Sequence, residues 1–309
     1  MEYLDNNSIL MRNTFGKIKT KYNSITMKKI AILGSSGQIG AYLTEYFTKK
    51  GHLVREFDIA NGQHEDMTHI PNPFLRNVIM DSDFVFFLAF DVGGSHYLKK
   101  YQHTYKFINN NTRMMANVFG QLSEYKKPFV FASSQMSNMS YSPYGVMKRV
   151  GELYTKSLNG LIVKFWNVYG IEKDMEKAHV ITDFIAKGFK TGVIDMMTDG
   201  TEVREFLYAE DCCEALESVM ENYDRLTSDD ELHITTGSST TILEIAQNIQ
   251  KLFSNIGKEV VIKPAESKDE VQKDARNISD PYIRKFWTPK TSVKEGLKKV
   301  FEDMKNDWI

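Results

Sequence analysis

The segment Gly34-Ser35-Ser36-Gly37-Gln38-Ile39-Gly40 follows an apolar run, residues 29–33, and leads into a stretch of helical periodicity, residues 38–50. Its three glycines leave the backbone without side chains at a strand-to-helix turn. Phosphate groups need such a turn, because backbone N–H groups and the positive end of a helix must approach them closely. The segment therefore predicts a phosphate-binding loop, although glycines at a turn also serve backbone geometry alone.

From Lys28 onward, short runs rich in β-branched and aromatic residues alternate with amphipathic stretches, a pattern typical of parallel sheets. The predicted strands are residues 29–33, 53–57, 84–90, 128–132 and 161–165. The predicted helices are residues 38–50, 111–125 and 144–158, with two more near 180–189 and 242–253. The predicted fold class is α/β, a Rossmann-type doubly wound parallel sheet with a smaller C-terminal lobe.

The pattern divides the chain into three predicted parts. Residues 1–26 form an N-terminal arm, which lacks the continuous apolar run of a secretory signal. Residues 27–168 form the dinucleotide-binding domain, and residues 169–309, where the alternation becomes irregular, form the substrate-binding lobe. Strands of the second part are free to cross back to the first sheet, because no Pro/Gly linker separates the two.

The composition excludes several classes of function. The 39 basic and 40 acidic residues leave a net charge of -1, so no basic surface for nucleic acid is expected. We expect no membrane-spanning helix, because no apolar run approaches the required length. The two cysteines, Cys212 and Cys213, are adjacent and too few for a metal site or a disulfide framework. We therefore expect a cytoplasmic protein without a metal.

An acidic residue supports the assignment of the glycine-rich loop. Asp58 ends the second predicted strand, 18 residues after Gly40, where a carboxylate accepts hydrogen bonds from the adenosine ribose. It would repel a 2′-phosphate, and no lysine or arginine follows it closely. The sequence therefore predicts NAD as the cofactor, rather than NADP.

A second motif predicts catalysis. Tyr144 and Lys148 are four residues apart, so they share one face of a helix, and Ser134 ends the strand before it. A lysine cation favours the phenolate, which could then remove a proton from an alcohol while the Ser134 hydroxyl orients the same oxygen. The alternative is a tyrosine–lysine pair on a solvated helix face, but the pair's position after a dinucleotide loop favours catalysis.

The chain from Lys28 to its end resembles the extended short-chain dehydrogenase/reductase family, specifically its NAD-dependent nucleotide-sugar epimerases and dehydratases. The resemblance rests on the three glycines, on the Tyr144/Lys148 pair and on weaker blocks that occur in the family's order. Asn117 would join Asn111 on the helix behind the active site. The resemblance and the loop together imply NAD contacts at Gly34, Ser36, Gly37, Gln38, Ile39, Gly40, Asp58, Ile59, Asp66, Met67, Leu88, Ala89, Asn111, Tyr144 and Lys148.

The same resemblance implies a nucleotide-sugar substrate bound by Gly93, Asn167 and Arg204. Asn167 is similar to the residue that turns toward the substrate's nucleotide, and Arg204 to the arginine that holds its diphosphate. A guanidinium suits phosphate oxygens, although an ion pair with Glu205 is the alternative for Arg204. Relatives commonly dimerise through two helices that here correspond to residues 111–125 and 144–158, so we expect at least a homodimer.

Departures from the family pattern narrow the expected reaction. In the dehydratases of this family, acidic residues come directly after the residue with the catalytic hydroxyl. Here Gln135 and Met136 follow Ser134, and residues 135–143 contain no carboxylate. We therefore expect oxidation or reduction at C4 of the sugar, as in surface-polysaccharide biosynthesis, with 4-epimerisation as the alternative. The Gly93-Gly94 pair resembles that of GDP-mannose epimerases, a hint of a GDP-linked hexose or heptose. The alternative of another class is a non-catalytic NAD-binding sensor or scaffold.

Overall fold

A computed structural model describes residues 26–272 and 278–306. The proposed N-terminal arm lies outside these residues, apart from Thr26. The strands are β1 (Lys29–Leu33), β2 (Leu53–Phe57), β3 (Phe84–Phe87), β4 (Phe129–Ser134), β5 (Leu161–Phe165), β6 (Asn167–Tyr169), β7 (Val193–Asp195), β8 (Val203–Tyr208), β9 (Leu232–Ile234), β10 (Ser239–Thr241) and β11 (Val261–Lys263). The helices are α1 (Gln38–Lys49), α2 (Pro73–Met80), α3 (Ser95–Tyr101), α4 (Tyr105–Tyr125), α5 (Pro143–Ser157), α6 (Val180–Thr191), α7 (Ala209–Glu221), α8 (Ile242–Asn255) and α9 (Val293–Lys305).

Six strands form one parallel sheet in the order β2-β1-β3-β4-β5-β9. This arrangement confirms the predicted α/β fold of Rossmann type. Two smaller sheets, β10-β8-β6 and β11-β7, lie in the C-terminal part. The last strand of the large sheet, β9, also comes from that part, so the chain does cross back as the sequence allowed. The division at residues 168 and 169 stays a prediction.

The sheet is buried on both of its faces, as the continuous apolar runs of its strands indicate. Along β1, Ile30 and Ile32 pack into one apolar cluster, while Ala31 and Leu33 pack into another on the opposite face. A third cluster lies among α6, α8 and α9 in the C-terminal part. Within the described residues, no helix combines the length and apolar character that crossing a membrane requires.

Two predicted boundaries near the site were wrong. β3 ends at Phe87 rather than at residue 90, because the N–H groups of Leu88 and Ala89 both turn to donate to the Leu33 carbonyl, at 2.9 and 2.7 Å. α4 begins at Tyr105 rather than at residue 111, because the Thr104 hydroxyl caps it by accepting from an N–H of the first turn. A capping side chain starts the helix ahead of the first residues that show apolar periodicity, so the periodicity alone places the start too late.

The glycine-rich loop lies where three backbone segments come too close together for side chains. Gly34 has a φ of 94°, and a Cβ atom placed on it would lie 2.6 Å from the Ala89 nitrogen. A Cβ atom on Gly40 would overlap the Gly34 carbonyl oxygen. Close contact among β1, α1 and the residues after β3 therefore requires glycine at both positions.

Replacing Gly34 with alanine tests this requirement. We expect Gly34→Ala to lower the free energy of unfolding by about 1–3 kcal/mol, because a side chain at this φ is strained and meets the Ala89 backbone. Chemical denaturation measures the change. The matched control is Gly120→Ala on α4, where an added Cβ meets nothing within 4 Å, and which should leave stability unchanged or raise it. Equal stability of Gly34→Ala and the wild type would contradict the requirement.

Candidate active site

The glycine-rich loop and Asp58 form one surface at the carboxyl ends of β1 and β2. The Asp58 carboxylate accepts from the N–H groups of Ser36, at 3.1 Å, and Ala60, at 3.0 Å. α1 begins at Gln38 without a side-chain cap, so its first N–H groups are available to a phosphate. The Ser35 hydroxyl is buried and has no partner among the described residues. These features fit a dinucleotide, with its ribose at Asp58 and its phosphates at the start of α1.

The residues predicted to contact adenosine lie around this surface. Met67 and Ala89 are buried in the same cluster as Leu33, with Leu88 partly buried beside the sheet. The exposed Ile59 follows Asp58, and Asp66 accepts from the Thr68 N–H at 2.8 Å. The structure thus places all of these predicted residues at the carboxyl ends of β1 to β3 or on the loops that follow these strands.

Asn111 and Asn117 fasten the loops around this surface from α4. The Asn111 amide oxygen accepts from the Asp91 N–H at 2.8 Å, and its nitrogen donates to the Asp91 carbonyl at 3.2 Å. The Asn117 amide donates to the carbonyls of Met67 and His69, both at 2.9 Å. Both asparagines are buried, so their hydrogen bonds fix the loops that follow β2 and β3.

Tyr144 and Ser134 meet at the floor of a cleft between the sheet edge and the C-terminal part. Ser134 ends β4, and Tyr144 stands in the first turn of α5, after a cap by Ser142. Both side chains are more than 90% buried and line the cleft. Burial raises the pKa of Tyr144 to about 12, and the neighbouring Ser134 hydroxyl acts in the opposite direction.

Lys148 lies one turn behind Tyr144, as predicted, but it is enclosed by protein. Its ammonium donates to the Ala132 carbonyl at 2.6 Å and lies 3.8 Å from the centre of the Phe90 ring, against 5.8 Å for Tyr144. Burial lowers the pKa of Lys148 to about 7, while the negative charge of Glu152 acts to raise it. The buried Glu152 was not predicted, and it is held by Ser133 at 2.6 Å.

The cleft has a volume of about 160 Å³ and opens to solvent. Gly93 and Gly94 form part of one wall, where an added Cβ on Gly94 would overlap the Ala178 carbonyl oxygen. These glycines therefore allow two backbones to touch, beyond making a turn. Asn167 lines the cleft from β6 and donates to the Glu205 carbonyl at 3.3 Å. Apolar side chains complete the walls, among them Phe184, Met196, Phe206 and Ile242.

Arg204 also lines the cleft, where its guanidinium forms an ion pair with Asp269. The alternative partner considered from the sequence, Glu205, is engaged elsewhere and accepts from Thr235 at 2.8 Å. Nothing in the sequence pairs residues 204 and 269, because 65 positions separate them and their contact depends on the tertiary fold.

Three further polar side chains of the cleft were missed by the sequence analysis. The His179 ring lies 2.7 Å from the Glu172 carboxylate, whose charge and hydrogen bond outweigh burial and raise the histidine pKa. The Trp166 indole donates to His233 at 3.2 Å. Glu202 keeps one buried carboxylate oxygen without a partner in the described part of the chain. Trp166 and Glu202 lie in the segments that carry Asn167 and Arg204, but their spacing alone does not indicate that they face the cleft, and His179 lies outside these segments.

No group of three or more histidine, cysteine, aspartate or glutamate residues in ranges 26–272 and 278–306 is arranged to hold a metal ion. The glycine-rich loop, Asp58 and the tyrosine–lysine pair at the sheet edge are what a nicotinamide-dependent enzyme would require. Comparison with known families agrees, since residues 30–235 match the NAD dependent epimerase/dehydratase family. The match covers more than half of the chain, and the chain therefore belongs to this family and uses NAD.

Individual relatives show how far the similarity extends. The chain is 26% identical to a UDP-N-acetyl-alpha-D-glucosaminuronate decarboxylase of Bacillus cytotoxicus, over 91% of this chain and 99% of the relative. It is 33% identical to a putative UDP-glucose 4-epimerase of Methanocaldococcus jannaschii, over 54% of each chain. Its fold matches a GDP-6-OMe-4-keto-L-xylo-heptose reductase from C. jejuni with a TM-score of 0.78 and 18% identity, over 91% and 98% of the two chains.

The burial of Lys148 predicts a pH dependence of stability. Its pKa is about 7 in the folded state and near 10.5 when exposed, so between these values the unfolded chain binds more protons. The contribution of Lys148 to stability therefore rises as the pH rises through this interval. We expect Lys148→Met to be more stable than the wild type at pH 7, by an amount that shrinks toward pH 10.5.

Denaturant unfolding of both proteins across this interval measures the difference. The control is Lys156→Met on the same helix, where the lysine is exposed and pairs with Asp229 at 2.7 Å. Its difference from the wild type should be flat over the same pH interval. A flat difference for Lys148→Met as well would contradict the account of its burial.

Proposed function

We propose that the protein oxidises or reduces the C4 carbon of a nucleotide-sugar, with NAD as the hydride carrier. The observation that carries this proposal is the meeting of Tyr144 and Ser134 at the floor of the cleft, at the sheet edge that also holds the glycine-rich loop. Residues 27–168 would hold the cofactor, and residues 169–309 would supply most of the sugar nucleotide site. Arg204 and Asn167, which line the cleft, support this division.

Tyr144 would exchange the proton of the sugar hydroxyl, and Ser134 would hold the same oxygen. When bound, NAD accepts a hydride from carbon or returns it. A buried phenol with a pKa of about 12 is a weak base, so it needs a positive charge close by to ionise. Lys148 lies one helical turn after Tyr144, and its ammonium is fixed by the Ala132 carbonyl. This ammonium would supply the positive charge when Tyr144 ionises.

The residues after Ser134 favour simple redox chemistry over elimination of water. Gln135 and Met136 are both buried, and neither side chain exchanges protons at neutral pH. The Gln135 amide donates to Gln272 at 3.0 Å, which marks it as a positioning group. In the family's dehydratases, carboxylates at this place remove a sugar C–H proton and help water to leave, and residues 135–143 contain no carboxylate.

The names of the relatives support a nucleotide-sugar substrate, but they differ in the nucleotide that carries the sugar. UDP-sugars appear in the names of the decarboxylase and the epimerase, and a GDP-heptose in that of the reductase. The sequence resemblance of the Gly93-Gly94 pair to GDP-mannose epimerases favours a GDP-linked hexose or heptose. The second candidate reaction is 4-epimerisation, favoured by the similarity to a putative 4-epimerase.

A panel of UDP-, GDP- and dTDP-hexoses and their 4-keto forms, offered with NAD or NADH, tests the proposal. We expect a change in NADH absorbance with one substrate class, and Tyr144→Phe should lower the rate roughly a hundred- to ten-thousandfold, because the proton carrier is lost. Tyr141→Phe is the control, since this tyrosine lies three residues before Tyr144, in the loop before α5, and is not part of the cleft lining. Epimerisation would give a new sugar without net NADH change.

Two results would reject the proposed reaction. Silence across the whole panel, together with tight NAD binding, would favour a non-catalytic sensor or scaffold. Full turnover by Tyr144→Phe would show that another group exchanges the proton. Neither result affects the family assignment, which rests on the fold and on the matched residues.

We also propose a homodimer formed through α4 and α5. Apolar side chains on these helices are exposed, among them Ile108, Val146 and Leu153. Leu153→Glu should shift the protein to a monomer in analytical ultracentrifugation, because a charge would be buried between the helices. The control is Met80→Glu, at a similarly exposed apolar position on α2. A wild-type monomer at micromolar concentration would overturn the proposal.

A further inference from the structure

A strap formed by residues 265–272 runs along the cleft, with its first half fixed to the C-terminal part. The Ala265 N–H donates to the Thr198 carbonyl at 3.0 Å, and the Asp199 N–H donates to the Ser267 carbonyl at 2.9 Å. The Ser267 hydroxyl adds a bond to the Met197 carbonyl at 2.6 Å. Backbone pairing of this kind holds the first half of the strap independently of any ligand.

The second half of the strap reaches the catalytic side. Val271 is 5% exposed and belongs to the apolar cluster that contains Tyr144 and Met136. Gln272 accepts from the Gln135 amide, next to Ser134. The strap therefore crosses the cleft and covers the groups that would have to touch the sugar.

Arg204 ties the two halves together through Asp269. Their side chains are 15% and 14% exposed, so the ion pair is largely withdrawn from water. The Asp269 carboxylate also accepts from the Val271 N–H at 2.7 Å, and Arg204 donates to the Gln272 carbonyl at 3.4 Å. One carboxylate thus neutralises the guanidinium and shapes the turn that carries Val271.

We propose that the diphosphate of the substrate replaces Asp269 on Arg204 and so releases Val271 from the cluster around Tyr144. This inference rests on the proposed function, since it takes Arg204 as the diphosphate site. Asp269 is the carboxylate that pairs with Arg204 in the described part of the chain. A largely buried guanidinium is strongly destabilised when its counter-ion leaves, so the exchange requires an incoming anion. Asp269 is then a specificity-determining residue, because a sugar without a diphosphate cannot displace it and cannot reach Tyr144.

The two halves of the ion pair give opposite predictions for binding. In calorimetry with pyrophosphate, UDP and GDP as probes, Asp269→Asn should bind roughly three- to tenfold more tightly, because the competing closed state is lost. Arg204→Gln should bind at least about tenfold more weakly, since the guanidinium provides the charge-assisted bonds. Glu266→Gln is the control, because it removes the same charge from an exposed position of the strap and should change nothing.

Hydrogen exchange measures the release of the strap directly. Saturating pyrophosphate should speed exchange of the Val271 and Gln272 amides in the wild type, and Asp269→Asn should show fast exchange without it. Val271→Ala leaves the Arg204 charges unchanged, and it should also bind pyrophosphate more tightly because the closed strap packs less well. It keeps the test valid if Asp269→Asn fails to fold.

Unchanged or weaker probe binding by folded Asp269→Asn, or by Val271→Ala, would overturn the proposal. Hydrogen exchange of the strap amides that does not change with pyrophosphate would overturn it as well. Failure of the proposed function has a different signature, because pyrophosphate binding and strap release do not depend on turnover. If the protein showed both effects but converted no nucleotide-sugar, the proposed release of the strap would stand and the proposed reaction would be rejected.

Discussion

Close contact between backbones at Gly34, Gly40 and Ala89 is the constraint on which the rest of the structure depends. Here the first strand, the first helix and the turn after β3 occupy a space that admits no Cβ atom on either glycine. The contact aims the start of α1 at the carboxyl edge of the sheet and places Asp58 beside it. Because these glycines carry no side chains, the peptide groups at the start of α1 are open to a phosphate, as the predicted cofactor site requires.

The parallel order of the sheet then brings the predicted catalytic side chains to the same edge. β4 and β5 lie in register, so Ser134 at the end of one strand is paired with Phe165 at the end of the other. α5 returns from this edge and carries Tyr144 in its first turn, with Lys148 turned inward against Phe90. Burial makes both ionisable groups poorly suited to carry charge alone, and this favours their acting as a pair when substrate is bound.

The first five strands, apart from the end of β3, were readable from the sequence, as were the glycine-rich loop and the tyrosine–lysine pair, because each follows from a spacing of a few residues. Helix α4 was placed six residues late, since a threonine cap carries no periodicity. Residues of the cleft that depend on contacts between distant segments, such as Arg204 with Asp269, left no local pattern. Short-range spacing therefore predicted the first strands and the turn after β1, while the contacts of the C-terminal part depend on how the chain returns across the sheet.

The contact of Gly94 with residues 177 and 178 joins the loop after β3 to the segment that carries His179. Because the Gly94 N–H donates to the Lys177 carbonyl at 2.9 Å, these two walls of the cleft are coupled main chain to main chain. A movement of one of these two walls must therefore move the other as well. Changes that adapt this enzyme to a bulkier sugar should therefore accumulate on the opposite side of the cleft, where the walls are joined by side chains that can be exchanged one at a time.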